Sequence, residues 1–277
     1  MLRSFNGLQQ RLVRSAISGV YSLIYPPVCI GCEGPSYFDL DDVKGNRSHP
    51  LSPEEQEILE RENWCEGCLD QIRAPLEQRC PVCGGVVQLH AALKGRCHLC
   101  QFSDFRFSQA VCINNYGGLL QSLVIKMKGQ RCEVTALQLG GLLAYEIERL
   151  DQIEDVDFLT CVPTHWRKKL SKGFQASEIL CQAVSKISGI ASITKVLRAN
   201  RPTKKQGMLS DFKRFENVKN AFSVSPIHRN KIAEKHIVLI DDVMTSGATT
   251  SQCAKVLRDA GAARVDVAVV ARGAKSS

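Results

Sequence analysis

The apolar positions change their period along the chain. Between residues 2 and 24, Leu2, Phe5, Leu8, Leu12, Ile17, Val20 and Ile24 fall near helical spacing, with Arg3, Arg11 and Arg14 in the remaining positions. That pattern predicts an amphipathic helix over residues 1–28, closed by Pro26 and Pro27. Large apolar residues then thin out until residue 104, and from 105 onward two kinds of segment alternate. A strand or loop is expected near 109–116, followed by helices over 118–128 and 133–149 with Gly129 as the break between them. Phe158 to Val162 reads as a short strand stopped by Pro163, and Phe174 to Ile187 has helical periodicity. His236 to Ile240 is a buried strand, residues 248–260 a helix, and Val265 to Ala271 a last strand after Gly261. Alternating strands and helices predict an α/β fold over 105–277: a parallel sheet with flanking helices, whose ligands bind at the carboxyl ends of the strands.

The sparse segment, 29–104, must draw its order from something other than an apolar core. Eight of the 13 cysteines form four C-x-x-C pairs there: Cys29/Cys32, Cys65/Cys68, Cys80/Cys83 and Cys97/Cys100. A two-residue spacer lets both sulfurs face one ion, and two pairs complete a tetrahedral thiolate shell. Pairing in sequence order predicts two consecutive zinc ribbons; an interleaved arrangement is the alternative. With every ligand a cysteine no coordination position stays open, so these two zinc sites are structural, and metal binding supplies the module's folding energy. Cys112, Cys132, Cys161, Cys181 and Cys253 sit singly in apolar or helical contexts and read as small buried hydrophobes.

Charge changes the picture in two places. The 33–64 insertion between the first two pairs holds nine acids against three bases and reads as exposed, with a short acidic helix near 53–62. Residues 156–235 hold 16 Lys+Arg against five Asp+Glu, a local net charge of +11, whereas the whole chain carries +8. Such a cluster suits phosphate or the backbone of single-stranded DNA, with Trp166 and Phe174 as candidate stacking faces. No acidic residue precedes Glu33, a feature shared with organelle transit peptides; the reading taken is a helix that packs the cysteine-rich module onto the main domain. No apolar run approaches the length of a membrane span and no signal-peptide pattern is visible, so the chain reads as cytoplasmic, without membrane insertion.

The candidate chemistry concentrates in Ile237-Val-Leu-Ile-Asp241-Asp242-Val-Met-Thr245-Ser246-Gly247-Ala248-Thr249-Thr250. A hydrophobic strand ends in two acids, and a loop of small hydroxyl residues around one glycine runs into a helix. Successive amides of Thr245, Ser246, Gly247, Ala248 and Thr249 can wrap a phosphate at the helix N-terminus. Asp241 and Asp242 can accept hydrogen bonds from vicinal sugar hydroxyls. Together they describe a site for a ribose 5-phosphate.

The string V-L-I-D-D-V-M-T-S-G-A-T resembles the signature of type I phosphoribosyltransferases, which bind phosphoribosyl pyrophosphate together with magnesium. Val162-Pro163-Thr-His-Trp-Arg167, Lys172-Gly173-Phe174-Gln175, Leu197-Arg198 through Thr203, Gln206, Leu209, Arg214, Asn217-Val218 and Ala221-Phe222 extend the likeness. On these residues the chain resembles the ComF family of competence-associated proteins, which likewise joins N-terminal zinc ribbons to a phosphoribosyltransferase domain. It departs from that pattern at Lys172 and at Gln175-Ala176-Ser177. The resemblance implies phosphoribosyl pyrophosphate or a nucleotide as ligand, DNA-uptake proteins as partners, and an association with natural transformation. Arg167, Lys168, Lys169, Lys172 and Arg198 are the pyrophosphate or lid candidates, 198–214 a candidate hood over the site. His165 and His236 are candidate bases by position alone. A sensor or single-stranded-DNA-binding module using the same pocket and basic face is the alternative to turnover.

Overall fold

The computed structural model describes residues 28–34, 64–73, 79–86, 96–98, 100–101, 103–129, 133–165, 175–203 and 211–273. The expected N-terminal helix, most of the acidic insertion, and 166–174 with Trp166, Arg167, Lys168, Lys169, Lys172 and Phe174 lie outside the described residues. The chain forms two compact units, residues 1–70 and 71–277. The expected boundary lay at 104/105, so the second cysteine cluster belongs to the larger unit.

In the larger unit, β1 (Ala110–Asn115), β2 (Phe158–Cys161), β5 (His236–Met244) and β6 (Arg264–Arg272) form a sheet of order β1-β6-β5-β2, and every pairing is parallel. Its central strands carry the continuous apolar runs Ile237–Ile240 and Val267–Ala271 because both faces are covered there. Among the described residues the α-helices are α1 (Glu66–Ile72), most of which belongs to the smaller unit, α2 (Gly118–Met127), α3 (Glu133–Ile147), α4 (Ala176–Ser188), α5 (Asp211–Val218) and α6 (Ala248–Asp259). The pattern-based boundaries hold to within about two residues for α2, α3, α4, α6 and β6. Helices α3 and α4 pack on each other and against β1, β6, β5 and β2, while α6 packs on β5, β6 and α5. Gly140 permits the α3–α4 contact, since a Cβ there would meet the Ala183 Cβ at 2.5 Å.

Strand alternation sorts the core. Ile237, Leu239, Val265, Val267 and Val269 share one hydrophobic cluster with Ala248, Cys253 and Leu257 of α6, and with Cys80, Cys83, Cys97, Cys100, Phe105 and Phe107. The second cysteine cluster is thus part of the core on the α6 face of the sheet.

Two features departed from the pattern. The strand was expected to end in the two acids, but β5 runs on past them to Met244, with Asp241 opposite Val269 and Met244 opposite Arg272. β2 stops at Cys161, opposite Ile240, so among the described residues the end of β5 is paired along one side, to β6. The expected hood over 198–214 begins in a two-stranded antiparallel sheet, β3 (Leu197–Ala199) with β4 (Phe222–Val224), which precedes and follows α5. Three-residue strands are too short to announce themselves by alternation.

Candidate functional site

Beyond β5 the chain turns through Thr245 to Gly247 into α6. Gly247 has φ 77° and ψ 6°, the left-handed region that costs a residue with a Cβ about 1–2 kcal/mol. A Cβ here would also lie 2.5 Å from Cε1 of Phe105. Glycine is therefore required twice, by the turn and by the ring beneath it. Ser251 N donates to Gly247 O at 2.8 Å, and Thr250 Oγ1 donates to the same carbonyl at 3.1 Å. The first amides of α6 have no preceding helical carbonyl to bond, which makes this end electropositive.

The five candidate phosphate residues differ in presentation. Thr245 and Thr249 are half-buried, whereas Ser246, Gly247 and Ala248 are buried. Ser246 Oγ accepts from Ala248 N at 3.4 Å, so its hydroxyl is turned inward onto the turn. The turn is clamped from below by Arg272, a fully buried residue at the end of β6 that pattern reading passed over. Its Nη1 donates to Met244 O at 2.7 Å, to Gly273 O at 2.8 Å and to Thr245 O. An arginine closing an apolar strand was the available signal: its charge must find buried acceptors there.

The adjacent acids fall on opposite faces of β5, Asp241 with Ile237 and Leu239, Asp242 with Val238 and Ile240. Asp242 Oδ2 lies 2.9 Å from Lys128 Nζ at the end of α2. Lys128 was also missed, because its partner Asp242 lies 114 positions further along the chain. Burial first, then the neighbouring Asp242 charge, push the Asp241 carboxyl up to about 8, while the Asp242 amide and Lys128 pull it down. Asp242 N donates to Asp241 Oδ1 at 2.9 Å.

At the end of β2, Gln175 fixes the chain leading to 166–174. Its Oε1 accepts from Thr164 N at 3.2 Å, and its Nε2 donates to Val162 O and Ser177 Oγ, each at 2.8 Å. His165 is buried at the same end of the sheet. His236 begins β5, five residues before Asp241 and so about 16 Å away along the strand. Its Nε2 lies 2.8 Å from Asp266 Oδ2, a structural pairing between the two central strands at the opposite end of the sheet. Arg198 is exposed on β3.

Both cysteine clusters assemble in sequence order, Cys29, Cys32, Cys65 and Cys68 in one, Cys80, Cys83, Cys97 and Cys100 in the other. In each the four sulfurs lie within 4.8 Å of one another. A tetrahedral ion with metal–sulfur bonds of about 2.3 Å needs sulfurs about 3.8 Å apart. The distances for Cys32–Cys65 (3.7 Å), Cys80–Cys100 (3.7 Å), Cys83–Cys97 (3.6 Å) and Cys97–Cys100 (3.8 Å) meet that requirement. The neighbouring sulfurs and burial push the Cys97 and Cys100 thiols up. Four thiolates in this volume therefore need a cation, and the donor set fits zinc.

The sequence profile of the phosphoribosyl transferase domain matches residues 173–277. Competence protein F of Haemophilus influenzae is 26% identical over 217 residues, spanning 77% of this chain and 92% of that protein. DNA utilization protein YhgH of Salmonella typhimurium is 30% identical over 206 residues, spanning 73% of this chain and 87% of its own length. The chain belongs to the ComF/YhgH family. YhgH of Escherichia coli K12 is likewise 30% identical, over 68% of this chain and 81% of that one. Among solved structures, glutamine phosphoribosylpyrophosphate amidotransferase from B. subtilis, complexed with ADP and GMP, aligns at 23% identity and a TM-score of 0.34. That match covers 50% of this chain and 26% of the other. A hypoxanthine phosphoribosyltransferase from Staphylococcus aureus aligns at 12% identity with a TM-score of 0.27, over 54% of this chain and 62% of that one. This ComF-family chain thus combines a type I phosphoribosyltransferase-like α/β domain with two tetra-cysteine clusters.

Proposed function

We propose that this protein binds phosphoribosyl pyrophosphate, or a related ribose 5-phosphate ligand, on the 245–249 turn, and that it serves DNA utilisation or competence as the names of its relatives indicate. The observation that carries the reading is Gly247 in the left-handed region at the N-terminus of α6, one short turn beyond two carboxylates on the end of β5. Turn amides and the Thr245 and Thr249 hydroxyls receive the 5-phosphate, and Asp241 and Asp242 accept from the ribose hydroxyls. Magnesium, carried in with the ligand, would neutralise charge on the pyrophosphate.

In this reading the protein contributes position and electrostatics. The β5–α6 turn fixes the phosphate, Arg272 holds the turn's carbonyls, and Lys128 pairs with Asp242 at 2.9 Å and so orients it. Zinc at the two cysteine clusters stabilises the fold. The excess of basic charge in 156–235 favours single-stranded DNA as a further partner, and that affinity should fall steeply with salt. No helix among the described residues is long and apolar enough to cross a membrane.

Calorimetry with phosphoribosyl pyrophosphate and magnesium tests the pocket. Binding by the native chain, lost in Asp241→Ala/Asp242→Ala, supports it; equal binding in both, or none in the native chain, removes it. Pyrophosphate release with a panel of nucleobases then separates a transferase from a sensor.

A further inference from the structure

The second cysteine cluster and the phosphate turn share one core, and the residues between them form a short physical path. Ser103 N donates to Cys100 O at 2.9 Å, so the chain leaves the last metal-binding turn in a set direction. Two residues on, Phe105 stacks on Phe107, with ring centroids 4.5 Å apart and planes 19° apart. The Phe105 ring fills the space that a Cβ at Gly247 would need. Arg106 N then donates to Ser251 Oγ in the first turn of α6 at 3.0 Å. From the other side, the first turn of the cluster lies against β1: Cys112 Sγ donates to Gly84 O at 3.1 Å and Ala110 N to Val82 O at 3.0 Å.

We infer that the Cys80/Cys83/Cys97/Cys100 cluster is a structural component of the phosphate turn: its four sulfurs, closed on a metal ion, seat Phe105 under Gly247 and so hold residues 245–249 in their binding conformation. Phe105 is a positioning residue, acting through the turn and not on the ligand. The inference rests on the phosphate reading of the turn. By thermodynamic linkage, a ligand on 245–249 must tighten metal binding at this cluster by the factor by which the metal tightens ligand binding.

The test uses the full chain with metal bound and reads amide hydrogen exchange over 244–252, metal content, and affinity for phosphoribosyl pyrophosphate. Phe105→Ala keeps all eight metal-binding cysteines and should retain two metal ions per chain. Its turn should exchange at least tenfold faster and bind at least tenfold more weakly, with Phe105→Leu intermediate. Cys97→Ser should lose one metal ion and show the same acceleration. In the native chain, the ligand should slow metal transfer from this cluster to a chelator. Native-like exchange in Phe105→Ala would overturn the coupling, whatever Cys97→Ser does to folding. If the native chain does not bind the ligand, the functional proposal fails while the exchange comparison still decides the coupling.

Discussion

Cys29 and Cys80 begin the same turn. Cys29 N donates to Gly34 O at 2.7 Å and Glu33 N to Cys29 O at 2.7 Å; Cys80 N donates to Gly85 O at 3.0 Å and Gly84 N to Cys80 O at 2.9 Å. The second pair of each cluster closes a helical turn, Leu69 N to Cys65 O at 3.1 Å and Gln101 N to Cys97 O at 2.8 Å. Local ligand geometry is thus common to both clusters, and their surroundings differ. Cys80, Cys83, Cys97 and Cys100 are all at most 2% exposed and lie in the α6-side core. In the other cluster Cys32 is exposed and Cys65 half-buried. The fourth residue after the first cysteine has positive φ in both, Glu33 at 61° and Gly84 at 67°. At Gly84 a Cβ would meet Ala110 O at 2.6 Å, so the glycine answers to β1 as well as to the turn. The same spacing gives the same metal-binding turns, but only a buried cluster becomes part of the domain's own stability.

The largest effect should come from removing one ligand from each cluster. Cys97→Ser should lose a metal ion and destabilise the α/β domain by several kcal/mol, since a structural zinc contributes roughly 10 kcal/mol or more. Cys65→Ser should also lose a metal ion yet leave the melting of that domain in place; metal analysis with calorimetry separates the two. Equal losses of domain stability would erase the distinction between the clusters.

Next in size is the anchor of the second cluster. Arg79 Nη2 donates to Ile113 O at 2.8 Å, Nη1 to Cys112 O, and Nη1 lies 3.2 Å from Glu146 Oε2, with both side chains nearly buried. Breaking a buried pair from one side costs about 3–5 kcal/mol, so Arg79→Ala should lower domain stability by that amount in denaturant titration. Glu146, whose carboxyl burial pushes up, should take a proton more readily in that variant.

Smaller effects separate the two turns themselves. Gly84→Ala should cost about 2 kcal/mol or more, from the left-handed backbone and the clash with β1. Glu33→Gly should relieve strain and tighten metal at the first cluster by about 0.5–1 kcal/mol, read by chelator competition.

The finest comparison uses Asp241 as a reporter of the turn. Its folded value near 8 lies above that of an unfolded carboxyl, so its contribution to stability is complete at low pH and is lost as pH rises through 8. Loss of the second metal ion should open the turn and bring the Asp241 titration, followed by carboxyl NMR, down toward the ordinary range. Loss of the first should leave it near 8, and Lys128→Met should raise it further.

Much of this was legible in residue order. Four C-x-x-C pairs announced two closed thiolate sites, and the apolar runs at 237–240 and 265–271 announced buried parallel strands, because both signals are carried by neighbours in sequence. The site was legible as far as its motif: Asp241, Asp242 and the 245–249 turn lie within nine consecutive residues. Arg272 and Lys128 escaped because their meaning depends on residues 27 and 114 positions away, at Thr245 and Asp242. β3 and β4 escaped because three residues carry no readable period.

Spacing by itself determined that eight cysteines form four two-sulfur turns, where the glycine of the phosphate turn must stand, and that strands alternate with helices; the grouping of those turns into two clusters in sequence order was settled by the structure. These follow from short-range sterics and from the reach of a side chain over a few bonds. Only the tertiary structure decided that β5 continues through both acids to Met244, that those acids lie on opposite faces, and that the second cysteine cluster belongs to the core beneath Gly247. Those outcomes depend on which strand ends first and which surfaces meet, and burial is a property of contacts between segments far apart in the chain.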